Sequence, residues 1–282
     1  FSGSIKQVKL GKTTLSHAGT QVALKAVWAN QVATVAGGTT PVDSSEFLSG
    51  SNHTLTAVNA TTSTSIYKSG VGTQSLQFDG TGDWYTVPDG SWADIGTGDF
   101  TMEAWIYLTG TTGWRAVLGS GAWGGPTTYD FTWDLNSGGN DYMRFDVYNG
   151  SSEVFCEMST AIVNSTWTHI AVCRSGGTVT QYLNGTASGS TLSSTQNIQS
   201  HGVVYIGNQS RGAAWQGNIQ EVRMSNNARY TGNFTSFGQD GGTISSPTPF
   251  TTDSNTMLLV HGSGTTAVAG KVAHLNGWAV NY

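Results

Sequence analysis

The chain has 282 residues, with 12 Lys and Arg against 17 Asp and Glu, a net charge of −5, and 38 glycines. The few cations are dispersed, which excludes the basic patch that nucleic acid or an anionic membrane surface requires, and no apolar run approaches the roughly 18 residues of a membrane-spanning helix. The length suits one large all-β domain with extensions or two ordinary domains, and polarity carried by Ser, Thr and Asn gives a neutral, hydrogen-bonding surface.

Residues 1 to 46 read as an N-terminal extension, an assembly or anchoring segment. Ser4 to Leu10 alternates like a strand, residues 21 to 35 leave strand and helix both open, and Gly37-Gly38 followed by Pro41 to Ser45 reads as a linker. Phe1 is not a translation start, so the chain is expected to be a processed or excised part of something longer.

From about residue 47 the pattern becomes uniform. Strand-like runs at His53 to Val58, Ser75 to Phe78, Phe100 to Leu108, Trp114 to Leu118, Tyr129 to Asp134, Tyr142 to Tyr148, Val154 to Met158, Thr168 to Arg174, Thr178 to Leu183 and Val203 to Ile206 alternate with turns rich in Gly, Asn, Asp and Ser. Many short strands without credible helices predict a sandwich or barrel. In the longest run Met102, Ala104, Ile106 and Leu108 form one face, with Phe100 assigned to the other beside Trp105 and Tyr107, so both faces are apolar, as in a central strand. Asn184-Gly185 is a strong hairpin signal because both residues tolerate positive φ, and with Ser175-Gly176-Gly177 it makes Ile170 to Ala187 a three-stranded meander.

The least generic stretch is Gly217 to Tyr230. Ile219, Val222 and Met224 are its apolar positions, Glu221 and Arg223 share a face, and Ser225-Asn226-Asn227 is a stop signal. Period-two alternation cannot bury both Ile219 and Val222, so either one lies at the strand's edge or a bulge falls between them. Thr256 to Val260 reads as the last strand, expected to pair with early residues because termini of compact domains lie close together, and residues 263 to 282 form a short C-terminal extension. Cys156 and Cys173 sit in successive strand-like runs. Bonding across neighbouring strands and two free thiols both remain open.

Taken in order, Ser75 to Gly80 with Asp83-Trp-Tyr85, Phe100 to Trp105, Trp167 to Val172 with Arg174, Tyr182 to Gly185, Tyr205-Ile-Gly207 and Gly217 to Tyr230 resemble the laminin G-like, concanavalin A-like lectin/glucanase superfamily. The resemblance covers residues 47 to 262 and implies an all-β fold, a two-sheet antiparallel jelly-roll sandwich with a β-rich N-terminal and a short C-terminal extension. Within its motifs Glu103, Trp105, Trp167, Glu221, Arg223, Arg229 and Tyr230 are read as structural framework. The superfamily includes glycan binders, adhesion modules and some glycoside hydrolases, and fold alone does not choose among them.

The hydrolase branch requires a Glu-x-Asp-x-x-Glu strand that sets two carboxylates on one sheet face. No such run occurs. The nearest pairs are Glu153/Glu157, which share strand parity, and Asp141/Asp146, which do not, so no catalytic residue is assigned and the protein is read as a non-enzyme. His169 reads as a hydrogen-bonded structural histidine. No histidine has metal-ligand spacing, and no cofactor or metal site is assigned. Some relatives hold calcium in rim loops, which keeps Asp79, Asp83 and Asp141 in view, although ordinary turn roles account for each. Glycan binding needs aromatic platforms beside hydrogen-bonding groups, and Trp114, Trp123, Tyr129, Tyr142 and Trp215 are the candidates. Composition favours a non-catalytic virion-surface protein, as in bacteriophage capsids, tails or fibres, whose partners are other copies of itself or virion subunits and cell-surface glycans. An extracellular carbohydrate-binding module is the alternative.

Overall fold

The computed structural model describes residues 7–10, 13–16, 55–110, 113–121, 131–135, 140–148, 152–199, 202–208, 214–238 and 241–262. The chain divides into two compact units, Phe1–Gly38 with Val268–Tyr282, and Thr39–Ala267. In the first, β1 (Gln7–Leu10) and β2 (Thr13–Ser16) form an antiparallel hairpin. The segment at 21 to 35, the boundaries expected at residues 46 and 263, and the C-terminal extension lie outside the described residues.

The second unit is an antiparallel two-sheet jelly-roll sandwich. Its seven-stranded sheet runs, in spatial order, β11 (Glu153–Glu157), β10 (Met143–Tyr148), β9 (Phe131–Leu135), β8 (Arg115–Ser120), β16 (Val204–Ile206), β6 (Trp84–Val87) and β3 (Thr56–Val58). The opposing nine-stranded sheet runs β14 (Thr186–Ala187), β13 (Thr178–Leu183), β12 (Thr168–Ser175), β7 (Phe100–Leu108), β17 (Gln216–Ser225), β5 (Ser75–Asp79) and β4 (Thr61–Ser63). β15 (Leu192–Ser193) adds to β13, and β18 (Thr256–Val260) adds to β17. Among the described residues there is no α-helix, only the 3-10 turn Ser91–Ala93, and no helix is long and apolar enough to cross a membrane.

Alternation explains the layers. Met102, Ala104, Ile106 and Leu108 of β7 meet Phe131, Trp133 and Leu135 of β9 and Met143, Phe145 and Val147 of β10 in one core. Phe100 joins this inner core rather than the face of Trp105, as its spacing of two from Met102 requires. On the outer side of the nine-stranded sheet Trp105 packs with Val71, Phe237, Phe250 and Leu259, so the chain following β17 covers that face. The two sheets are also tied by a polar bridge through the core. Gln181 of β13 accepts from Trp133 Nε1–H of β9 at 3.0 Å and donates to Met143 O and Cys156 O, of β10 and β11, at 3.2 and 2.9 Å.

The meander is β12–β13–β14. Its two-residue turns have both residues at positive φ, Gly176 and Gly177 (56° and 82°) and then Asn184 and Gly185 (48° and 80°), the twist that suits tight hairpins. In β17 both Ile219 and Val222 face the core, because the register against β7 shifts between Gln220 and Arg223 and Glu221 takes φ 57° as the extra residue of a bulge. One expectation is corrected, and the alternative left open for the cysteines is decided. β18 pairs with the second half of β17, through Val222↔Val260 to Ser225↔Thr256, and not with early residues; β5 occupies only the first half of β17, which leaves that edge to be filled. Cys156 and Cys173 are free and buried on different sheets, since β11 pairs with β10 whereas β12 pairs with β7 and β13.

Candidate functional site

The outward side of the seven-stranded sheet, at its β8–β11 end, gathers most of the groups that could meet a ligand. Register places Asp146 opposite Phe155 and Thr132, and Arg144 opposite Asp134 and Glu157. Because inward residues alternate with these, Asp134, Arg144, Asp146, Tyr148, Glu153, Phe155 and Glu157 share the outer face, where Asp134 and Asp146 are fully buried and Arg144, Tyr148, Glu153, Phe155 and Glu157 reach solvent. Phe155 is 48% exposed, whereas every other Phe with a described side chain is buried or partly so. The Arg144 guanidinium lies 3.7 Å from the centre of the Phe155 ring and 5.6 Å from that of Trp114.

Arg144 is held from both flanks. Its Nε donates to Asp146 Oδ1 at 2.7 Å, its Nη2 donates to the same oxygen, and Nη2 also donates to Glu153 Oε2 at 3.0 Å. Burial opposes its charge, but hydrogen bonding to Asp146 and the charges of Asp146, Glu153 and Asp134 raise its pKa above the ordinary value. The guanidinium is therefore a fixed cation in an acidic surround, with the Phe155 ring laid against it.

Of the aromatic candidates, Trp114 and Tyr142 reach this end of the sheet. Each is half-buried and adjoins one member of the Arg115–Asp141 ion pair, which joins the starts of β8 and β10. Trp123 and Tyr129 lie outside the described residues. Trp215 does not fit the role expected of it. Although it follows a polar stretch, it is fully buried in the main core immediately before β17 and presents no face to a sugar. Arg144 and Phe155 were not singled out from sequence; strand parity was the available signal, since Phe155 alternates with the inward Cys156 and Val154.

The framework candidates cluster under the opposite face. Glu103 Oε1 accepts from Arg223 Nε and Nη2 at 2.9 and 2.7 Å, while Oε2 accepts from the Tyr230 hydroxyl at 2.7 Å and lies 3.2 Å from His169 Nε2. Burial would raise the Glu103 carboxyl, yet Arg223, His169 and Tyr230 together hold it down to about 2. Burial depresses His169, which therefore stays neutral with its proton on Nε2, donating to the carboxylate. Glu221 accepts from Phe250 N–H at 2.7 Å and contacts His261 Nδ1 at 2.6 Å; Arg223 also lies over Phe250, at 4.3 Å from the ring centre. Arg229 donates to Ser225 Oγ at 2.7 Å and to Asp253 at 2.8 Å. The Trp105 ring edges onto His169 and Phe237, and Trp167 packs on Tyr107. All these contacts are internal, and Glu103 itself is fully buried.

The residues considered for calcium do not fit that ion. Asp79 Oδ1 accepts from Thr81 N–H, Asp83 Oδ2 accepts from Asp79 N–H, and Asp141 is taken by Arg115. Among the described residues no three His, Cys, Asp or Glu side chains converge on a common point.

A lectin-like sandwich with an aromatic, acidic outer sheet face is the class of protein that this fold defines. Residues 79–231 match the laminin G-type model of the concanavalin A-like lectin/glucanases superfamily, and the chain belongs to that superfamily. Among solved structures, domain 4 of the extracellular GH43 arabinanase AbnA from Geobacillus stearothermophilus, in complex with arabinotriose, is similar with a TM-score of 0.50 at 16% identity, over 73% of this chain and 96% of that one. The native heptameric SAP-like pentraxin of Limulus polyphemus gives 0.46 at 15%, over 67% of this chain and 96% of that one. The binding domain of Paraclostridial Mosquitocidal Protein 1 gives 0.49 at 13%, over 67% of this chain; the match spans about half of that structure, 49%. At these identities the likeness is one of fold. No curated protein matches this chain in sequence.

Proposed function

We propose that the sandwich is a non-catalytic carbohydrate-binding module whose site is the outer face of the seven-stranded sheet around Trp114, Arg144, Phe155 and Tyr142. The observation that carries this reading is the exposed Phe155 ring beside the Arg144 guanidinium, which the buried Asp146 immobilises and the partly exposed Glu153 flanks. Sugar rings present one apolar face and a rim of hydroxyls, and a rigid aromatic bordered by hydrogen-bonding groups complements both. The arabinanase domain solved with arabinotriose supports the reading, as an example of a similar fold beside a neutral oligosaccharide. Hydrolysis is disfavoured because Glu153 and Asp146 are both engaged by Arg144 instead of flanking an open cleft as an acid and its nucleophile. Virion assembly, with an exposed setting on the particle, rests on composition alone, and we place the module in an extracellular or surface-exposed setting.

The test is a glycan array followed by calorimetry on the full chain, on Phe155→Ala and on Trp114→Ala. We expect binding that each substitution weakens at least tenfold, about 1.4 kcal/mol, with little change in melting temperature for Phe155→Ala because that ring is exposed. An array without binders, or substitutions that leave affinity unchanged, overturns the reading. Self-association through Phe155 in the absence of glycan binding would favour assembly instead.

A further inference from the structure

The turn that follows β17 encloses a polar cavity of about 370 Å³, whose lining includes Arg229, Thr231, Asn233, Phe234, Ser236 and Gly238. It lies on the outer side of the nine-stranded sheet, where Tyr230 and Phe234 pack on Ala171 and Cys173 of β12, and so away from the face around Phe155. The Arg229 side chain is 5% exposed. Its Nε donates to Ser225 Oγ at 2.7 Å, and its Nη2 donates to Asp253 Oδ1 at 2.8 Å and to Thr256 Oγ1 at 3.4 Å. Nη1 has no hydrogen-bond partner among the described residues, and it adjoins the cavity wall at Gly238, where an added Cβ would lie 3.5 Å from it. With φ 52°, Gly238 meets the turn's conformational need and leaves that nitrogen uncovered. A nearly buried N–H without an acceptor costs free energy unless water or a ligand supplies one.

The neighbouring groups suit the same role. Asn233 Oδ1 accepts from Ala187 N–H at 2.8 Å, which fixes the amide and leaves Nδ2 to donate. Thr231 and Ser236 are exposed hydroxyl residues on the rim, and the half-buried Phe234 ring stacks on Tyr230 with 3.6 Å between centres as a fixed apolar wall. None of the described lining residues is acidic. From residue 224 to residue 252 the sequence holds one Lys or Arg, Arg229, and one Asp or Glu, Asp240, which lies outside the described residues.

We infer that this cavity is a binding site for an oxyanion, a carboxylate or a phosphate, held by Arg229 Nη1 and Asn233 Nδ2. Both nitrogens can only donate, so the complementary ligand atom is one that only accepts, and the bond from the guanidinium is charge-assisted. Arg229 offers one nitrogen and not its fork, because Nε and Nη2 are engaged, and the rim hydroxyls supply the remaining contacts. The volume stands at the small end of the roughly 300–1,000 Å³ of ligand pockets, which suits an anionic group with little behind it. This site is independent of the proposed glycan face.

The test follows the backbone amides of the isotope-labelled full chain by two-dimensional NMR during titration with inorganic phosphate, with glucuronate and with glucose at constant ionic strength. The expected result is saturable shifts at residues 229–238 with at least one anion, and binding of glucose at least tenfold weaker. Saturation by phosphate alone assigns the site to a phosphate group, and saturation by glucuronate alone assigns it to a carboxylated sugar; either supports the inference. Asn233→Asp keeps the acceptor for Ala187 N–H and puts a like charge in the cavity, so it should weaken anion binding at least tenfold in a protein that still folds. Asp240→Asn should bind at least as tightly as the native chain, and weaker binding there would overturn the assignment by making the acid part of the site. The inference also falls if neither anion shifts these residues, if glucose binds as tightly, if a folded Asn233→Asp binds like the native chain, or if the shifts are confined to β10 and β11.

Discussion

Arg223 places two of its nitrogens on a single oxygen of Glu103, at 2.9 and 2.7 Å, directly across the β17–β7 pairing and just past the bulge. Both side chains are fully buried. Two buried charges are tolerable only as a pair, because removing one partner leaves the other desolvated and uncompensated. Arg223→Met is therefore expected to lower the unfolding free energy by about 3–5 kcal/mol, and the double variant with Glu103→Gln to recover part of that loss. Urea denaturation of the three proteins decides it, and a loss below about 1 kcal/mol in Arg223→Met would remove the pair from the account of stability.

The same cluster gives stability a pH dependence of fixed sign. The Glu103 carboxyl titrates at about 2 in the folded protein against an ordinary 4.5, so on acidification the unfolded chain takes up that proton first. Its contribution is complete above about 4.5 and disappears as the pH falls toward about 2. His169 works in the same direction: held neutral by burial, it costs the fold stability once the pH drops below the ordinary imidazole value of 6.5. Urea midpoints measured from pH 7 down to pH 3 should fall throughout, and Glu103→Gln should flatten the lower part of the curve. An unchanged slope in that variant would contradict the assignment.

Glu221 is the residue whose presence sets the register of β17. With Glu221 as the extra residue, Ile219 and Val222 both reach the core while Arg223 faces Glu103; were Glu221 an ordinary strand position instead, Val222 and Met224 would turn outward. Deletion of Glu221 puts Val222 two positions after Ile219, so a regular strand keeps the same residues inward, and the variant should fold with stability reduced by the lost contacts to Phe250 and His261. Glu221→Gln keeps the bulge, weakens the same contacts and should lose less; urea denaturation ranks the two, and a deletion variant as stable as the native protein would show that the bulge and its contacts are dispensable.

That bulge was legible in the sequence, since two apolar residues three apart in one strand admit few solutions, and the meander was legible because Asn-Gly and Gly-Gly turns specify their own geometry. The proposed binding face was not. Arg144 and Phe155 are eleven positions apart, and only the register that puts Asp146 opposite Phe155 brings guanidinium and ring together; a short Gly/Ser turn does not specify that register. Trp215 misled for a related reason. It stands just before the strand Gln216–Ser225, and a residue entering a central strand can already be inside.

Gly176 and Gly185, one from each meander turn, separate backbone conformation from packing. A Cβ on Gly176 would meet nothing within 4 Å, so Gly176→Ala costs only its positive φ, about 1–2 kcal/mol. At Gly185 the same atom would lie 2.0 Å from Phe234 O, a backbone that also donates its N–H to Gly185 O at 2.8 Å. Gly185→Ala must push that segment away, adding roughly 1–3 kcal/mol to the conformational term. Thermal denaturation should rank Gly185→Ala well below Gly176→Ala, and equal melting temperatures would refute the close approach.

Gln181 links the interior to the proposed binding face. From β13 it crosses the core to Trp133 Nε1–H, Met143 O and Cys156 O, and Met143 and Cys156 belong to β10 and β11, the strands that carry Arg144 and Phe155. Gln181→Met fills similar volume but strips the buried indole N–H of its partner, at about 1–3 kcal/mol, and removes a tether on those two strands. Stability should fall, and glycan affinity should fall further than Trp133→Phe would make it, since the latter removes the indole and leaves both carbonyl bonds in place. Calorimetry on the two variants, each confirmed folded, reads the difference. Equal affinities would mean that the outer face keeps its geometry without help from the core.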